Sequence, residues 1–171
     1  MKIRAMLEDD RPAVLDVIRS AGIFTAEAEK VAAELIDAYL NRSGQPESYE
    51  VDVIENSPGT AAGFICYGPT PLTEGTFDLY WLAVHAAHQK QGLGKALLGR
   101  VERAALERRA RLIMIETSSS APYSAARRFY ERGGYLETAR VRDFYRPGDD
   151  RIIYCKYLSG HAQSAGDDAI K

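Results

Sequence analysis

The chain has 171 residues, enough for one domain with a sizeable core, and carries 46% hydrophobic residues with a formal net charge of −2. That charge balance argues against broad electrostatic attraction to DNA, RNA or an anionic membrane surface. No apolar run approaches the ~20 residues of a membrane span, and Met1 to Asp10 lacks the apolar stretch of a secretory signal, so no membrane partner and a cytoplasmic location are expected.

Residues 2 to 7 read as a short strand, followed by Leu7-Glu8-Asp9-Asp10 with capping side chains and a first helix over about 11 to 20. Gly22 stops it. Thr25 caps a second helix, whose apolar stripe is Ala28, Val31, Ala32, Leu35, Ile36 and Tyr39 and which ends near Asn41. A polar linker from Arg42 to Glu47 leads to a half-exposed strand with Tyr49, Val51 and Val53, then a turn at Asn56-Ser57-Pro58-Gly59. Strands over Ala61 to Tyr67 and Phe77 to Val84 complete an antiparallel meander. Leu93 to Arg109 is an amphipathic helix with Leu97, Val101, Ala104 and Ala105 on one face, and Leu112 to Glu116 is a buried strand expected to pair in parallel. A fourth helix spans about Tyr123 to Arg132 and ends at Gly133-Gly134, where a left-handed residue is needed. Two last strands, near Leu136 to Phe144 and Arg151 to Leu158, are joined by the turn residues Arg146-Pro147-Gly148-Asp149-Asp150. One domain over residues 1–158 and a disordered tail over 159–171 are expected.

The sharpest local signal is Gln89-Lys90-Gln91-Gly92-Leu93-Gly94-Lys95, between the strand ending at Val84 and the long helix. The first helical N–H groups have no intrahelical partner and carry partial positive charge, so a glycine-lined turn there can wrap a pyrophosphate, with Lys95 adding a cation. Taken alone, the turn reads equally well as a tight strand-to-helix connection. The dinucleotide fingerprint is excluded because Leu97 stands where it needs glycine, and the P-loop because Gln89 and Ala96 occupy two of its required places.

Gln89-x-x-Gly92-x-Gly94, preceded by a strand ending Leu82-Ala83-Val84, resembles the acetyl-CoA pyrophosphate motif of the GNAT acetyltransferase family. The resemblance continues downstream, where a strand is followed by Phe129-Tyr130-Glu131-Arg132-Gly133-Gly134-Tyr135. It implies an α/β (α+β) fold with a mixed, mainly antiparallel sheet of about seven strands, flanked by about four helices and splayed between strands four and five. It also implies transfer of an acetyl group from acetyl-CoA to an amine in a ternary complex. Gln89, Lys90, Gln91, Gly92, Leu93, Gly94 and Lys95 would hold the pyrophosphate, and the backbone of Leu82, Ala83 and Val84 the pantetheine. One free N–H of that strand would face the thioester oxygen. Tyr130 matches the family tyrosine that protonates the departing thiolate. Tyr123 stands where many members carry a pantetheine-contacting asparagine, a departure that leaves two readings: a phenol that donates to or stacks over the cofactor, or a residue that packs beside Pro122 at the helix start.

For the base that takes the amine's proton, Asp78 is the first candidate, on a strand face read as shared with Tyr80 and Leu82; Glu74 and Glu116 are alternatives. Acceptor-pocket candidates are Tyr39, Tyr49, Phe144, Tyr145 and Glu34. Cys66 and Cys155 lie in apolar strand-like segments and read as packing residues without a disulfide, and His85, His88 and His161 imply no metal. Expected partners are a small-molecule or peptide amine and no nucleic acid, with a homodimer through the last hairpin in view. A non-catalytic acyl-CoA sensor is the competing function.

Overall fold

The computed structural model describes residues 1–41, 49–57 and 59–158. The polar linker from Arg42 to Glu47, Pro58 of the first hairpin turn, and the tail from Ser159 to Lys171 with His161 lie outside the described residues. In chain order the elements are β1 (Lys2–Ala5), α1 (Arg11–Ala21), α2 (Ala26–Leu40), β2 (Glu50–Ser57), β3 (Thr60–Pro69), β4 (Thr76–Val84), α3 (Leu93–Glu107), β5 (Leu112–Ser118), α4 (Ser124–Arg132), β6 (Leu136–Arg146) and β7 (Asp149–Tyr157). The strands form one seven-stranded sheet in the order β1-β2-β3-β4-β5-β7-β6. Every neighbouring pair is antiparallel except β4 with β5.

Local chemistry sets most boundaries. β1 stops early because Glu8–Asp10 turn into a short 3₁₀ segment, in which the Asp10 carboxylate accepts the Leu7 N–H at 2.8 Å and two Arg4 N–H groups. Gly22 takes φ 65° at the end of α1, and Thr25 Oγ1 accepts the Ala28 N–H at 3.2 Å to cap α2. The α2 stripe is narrower than its spacing suggests: Ala32 and Ile36 are fully buried, whereas Val31 is 54% exposed. Val31 is a 100° step around the helix from Ala32, which carries it off the face pressed to the sheet. At the end of α4 the left-handed residue is Gly134, with φ 83°.

Two cores lie on the two faces of the sheet. Under α3 and α4 are Leu97, Val101, Phe77, Leu79, Ile113, Ile115, Tyr130 and Tyr154; under α1 and α2 are Val14, Ile18, Ile36, Val53, Phe64, Cys66 and Ala83. Cys155 is also buried.

Strand β4 changes face partway. Its register against β3 pairs Leu79 with Tyr67 but Trp81 with Cys66, so Tyr80 is an extra, bulged residue. Before the bulge Phe77 and Leu79 pack under α3; after it Leu82 and Val84 do so, while Trp81 and Ala83 join the α1/α2 side. The reading that Asp78 shares a face with Leu82 is therefore corrected. One inserted residue reverses the alternation, leaving Asp78 and Leu82 on opposite faces.

Parallel pairing joins only Thr76–Leu79 of β4 to Leu112–Ile115 of β5. Beyond it β4 follows β3 and β5 follows β7, so the sheet opens from Tyr80 and Glu116 onward.

Candidate functional site

The opening is walled on one side by the end of β4. His85 N–H bonds to Ala62 O at 2.9 Å, which makes that couple a hydrogen-bonded pair of the antiparallel ladder. By alternation Ala83 also bonds to β3, and the N–H and C=O groups of Leu82 and Val84 point into the opening. The three residues thus divide: Leu82 and Val84 offer ladder groups there, whereas those of Ala83 are used by Phe64. The Val84 carbonyl is itself engaged, accepting from Gln89 Nε2 at 3.3 Å.

That bond ties the strand to the glycine turn. Gln91 Nε2 donates to Ala87 O at 3.3 Å, and His85 Nδ1 accepts the Ala87 N–H at 3.2 Å, so His85 is a turn-capping residue. Lys90 and Gly92 both take positive φ, 61° and 87°, and Gly92 is the N-cap of α3 with no side-chain cap. The first N–H of this end to find a carbonyl is that of Ala96, on Gly92 O at 3.0 Å. Among the described residues the N–H groups of Leu93, Gly94 and Lys95 have no acceptor, and they converge at the positive end of a 15-residue helix. This is a cradle suited to an anion. At Gly94 a Cβ would meet Phe129 at 3.6 Å and Val84 at 3.8 Å, ordinary contacts, so the fold itself does not demand glycine there.

Tyr130 sits on α4 at the α3/α4 face, packed by the rings of Phe129, Tyr135 and Tyr154 at 5.5, 6.3 and 6.2 Å between centroids. Burial pushes its phenol up to about 12, keeping it protonated at neutral pH. Its hydroxyl has no hydrogen-bond partner among the described residues and is absent from the fully enclosed polar atoms, so the buried ring presents a hydroxyl available to a ligand. The short helix beneath it is anchored by Arg127, which donates to the carbonyls of Ser118 and Ser120 at 2.6 and 2.9 Å. Nothing in the sequence marked that anchor.

The opposite face of the opening is made of side chains. Asp78 accepts the Thr70 hydroxyl at 2.8 Å. Burial raises its carboxyl above the usual range; the Thr70 bond and Arg151 oppose the rise and Glu116 adds to it. Glu116, the first β5 residue beyond the parallel pairing, is ion-paired to Arg151. Glu74 is exposed in the loop before β4, at the closed end of the β4–β5 pair, and is not brought to the opening. Aromatic rings meet at the open end of β4: Phe24 lies 5.2 Å from Trp81 and 6.4 Å from Tyr123, spanning from β4 to the start of α4. Tyr39, Tyr49 and Tyr80 form a second series at 6.4 Å steps. Tyr145 is raised chiefly by burial, then by the Glu116 charge, which places it beside Glu116 and Arg151. Glu34 is elsewhere, exposed on α2 beside Lys30. Phe24, Trp81 and Arg151 were not picked out in the sequence, where an isolated aromatic or arginine at a strand position carries no signal of what it will face.

A groove of about 230 Å³ between α1 and α2, lined by Leu15, Ile18, Glu29 and Lys30 among others, lies apart from the β4–β5 opening. Among the described residues no group of three or more His, Cys, Asp or Glu is arranged to hold a metal, and no helix is long and apolar enough to cross a membrane.

The family model of the acetyltransferase (GNAT) family matches residues 13–135. Among solved structures, a Desulfovibrio desulfuricans protein of the GNAT family is 42% identical, with 91% of this chain and 98% of that chain covered at a TM-score of 0.84. The Escherichia coli ribosomal-protein-S18-alanine N-acetyltransferase is 25% identical, with 99% of both chains covered and a TM-score of 0.71. An aminoglycoside 6'-N-acetyltransferase complexed with coenzyme A shares the fold at 16% identity and a TM-score of 0.75, over 95% of this chain and 100% of that one. No curated protein matches the sequence.

Proposed function

The chain belongs to the acetyltransferase (GNAT) family and is an acyltransferase, and from that premise we propose that it moves the acetyl group of acetyl-CoA to an amine by direct attack, both substrates meeting in the β4–β5 opening. The observation that carries this reading is the continuity of unengaged backbone donors. The N–H groups of Leu82 and Val84 lead to the open N-terminus of α3, so an extended pantetheine amide chain ending in a pyrophosphate finds a partner along its length. Gln89, Lys90, Gln91, Gly92, Leu93, Gly94 and Lys95 hold the pyrophosphate in this reading, and Tyr123 contacts the pantetheine.

Asp78, directly or through a water, takes the proton of the incoming ammonium, and the freed amine attacks the acetyl carbon. A β4 backbone N–H donates to the acetyl oxygen as it gains charge, a fixed dipole that needs no reorganisation. Tyr130 donates a hydrogen bond to the sulfur as the carbon–sulfur bond breaks, the nitrogen of the tetrahedral intermediate sheds its second proton to water, and the departing thiolate takes a proton from solvent, so the products are an acetamide and a free thiol. A phenol raised to about 12 is a weaker acid than a thiol near 8.5, so Tyr130 acts foremost as a hydrogen-bond donor to the forming thiolate. Asp78 lies on the α1/α2 side of the sheet and Tyr130 on the α3/α4 side, so the amine arrives from one face and the sulfur leaves toward the other.

Incubating the protein with acetyl-CoA and a broad panel of amines, and reading free thiol, tests the proposal. Silence across the panel with acetyl-CoA binding intact would favour the sensor. The homodimer remains a separate expectation: β6 is an edge strand exposed along its length, and sedimentation showing monomer alone would remove it.

A further inference from the structure

Among the described residues one buried side-chain nitrogen or oxygen lacks a hydrogen-bond partner: Nε of Arg151. Arg151 stands opposite Ser118 in the β5–β7 ladder and on the face of Glu116, beside the opening. Of its three nitrogens only Nη2 is engaged, by Glu116; Nη1 carries no hydrogen bond among the described residues and, unlike Nε, is not enclosed. A guanidinium has five donors and no acceptor capacity, so this one is under-used where the reaction would take place.

The group is also held in place. Its Cζ lies over the Phe144 ring, 4.9 Å from the centroid. Phe144 comes from an irregular stretch of β6 between Val141, paired with Arg151, and Arg146, paired with Asp149. Within it Asp143 takes φ 52°, with its N–H on Asp150 Oδ1 at 3.0 Å and its own carboxylate accepting Gly148 N–H at 2.6 Å. Asp150 is further tied by Arg140 at 3.0 Å and by its N–H to Ser119 Oγ at 2.7 Å. A local backbone cost and four polar contacts thus fix the ring that covers Arg151.

We propose that Arg151 selects the acceptor, its unengaged guanidinium edge taking an oxygen carried next to the reacting amine, so that the substrate class is an α-amino carbonyl compound rather than a plain alkylamine. This rests on the amine-transfer reading. Asp78 and Glu116 face the ammonium, and Arg151 beside them supplies a positive group that a purely cationic acceptor has no use for. An α-amino carbonyl compound carries both signs at the required closeness: nitrogen to the acids, oxygen to the arginine.

The test compares L-alaninamide, L-alanine and isopropylamine, the last being alaninamide with its carboxamide replaced by methyl, as acceptors for the full chain and for Arg151→Gln and Arg151→Lys. The parent is expected to favour an oxygen-bearing acceptor over isopropylamine by ~10-fold or more in kcat/KM. Arg151→Gln should erase that preference, any fall common to all three acceptors reporting the loss of the cation beside Asp78 and Glu116, and Arg151→Lys should retain part of it. L-Alanine above L-alaninamide would assign a carboxylate, and the reverse a peptide-type carbonyl. Equal use of all three acceptors by the parent, or an equal fall for all three in both variants, would overturn the proposal. Turnover confined to amines without such an oxygen would sink the selection alone, whereas silence on every amine with acetyl-CoA still bound would sink the transfer reading beneath it.

Discussion

The two faces of the β4–β5 opening are built from different materials. The proposed donor side, from Leu82 and Val84 to the N-terminus of α3, presents main-chain N–H groups whose directions follow from strand alternation and helix geometry. The proposed acceptor side would work through side chains from the α1–α2 connection, β4, β5, β6 and β7: Phe24, Asp78, Glu116, Tyr145 and Arg151. A backbone cradle is indifferent to most of the residues around it and tolerates few shapes in its cleft. A side-chain wall is re-specified by every substitution, so the two sides should answer mutation differently.

The sharpest contrast should come at Gly94. A methyl at this position makes only ordinary contacts with Phe129 and Val84, but the branched side chain of Gly94→Val stands beside the N–H cradle. Acetyl-CoA binding should be abolished in calorimetry while far-UV circular dichroism still reports the fold. A folded variant binding as tightly as the parent would remove the pyrophosphate from this turn.

Tyr130→Phe deletes a hydroxyl with no protein partner from a ring that stays buried, so stability and acetyl-CoA affinity should hold while kcat falls by ~10²-fold. Because burial holds the phenol at about 12, the parent should keep its proton donor throughout the ordinary alkaline range. An unchanged kcat in the variant would return Tyr130 to the core.

On the acceptor side Asp78→Asn should lower kcat by roughly 10–10²-fold and leave acetyl-CoA binding alone. Its stability effect has the opposite sign. A carboxyl raised on folding binds its proton more tightly in the native state, so the native state gains stability below the unfolded value near 3.8 and loses it as pH rises through the folded value. Asparagine avoids that loss, and the variant should melt higher than the parent at neutral pH. Asp10 runs the other way: the Arg4 bond foremost, helped by the Leu7 N–H, holds it low, so its contribution is present above the unfolded value and disappears as pH falls. A lower melting temperature for Asp78→Asn at neutral pH would contradict the burial argument.

The smallest effect is expected from Phe24→Leu, which removes the ring between Trp81 and Tyr123. KM for the acceptor should rise by ~3–10-fold with acetyl-CoA affinity unchanged, since aromatic contacts of this kind contribute about 0.5–1.5 kcal/mol. An equal loss in acetyl-CoA affinity would mean that Phe24 serves both sides.

How much could be read without coordinates follows the same division. Gly92, Gly94 and the strand before them announced an anion cradle because a helix start and a glycine turn are local in the chain, and Gly22, Thr25 and Gly134 marked helix ends for the same reason. The mixed sheet was legible from an antiparallel meander followed by strand, helix and strand. The face of Asp78 was misread because a single bulged residue, Tyr80, leaves no compositional mark and yet reverses all that follows. Glu74 and Glu116 looked equivalent in sequence. Pairing ended with Glu74 at the closed end of the β4–β5 couple and Glu116 at the open one, already bound to Arg151. Sequence by itself determined the elements, the glycine turn at the open helix N-terminus and the family, since those depend on neighbours a few residues away. Tertiary structure alone decided which strand edge stays open, which acid faces it and that Arg151 has donors to spare, because each depends on groups from distant strands meeting in a register set by the packing of the whole sheet.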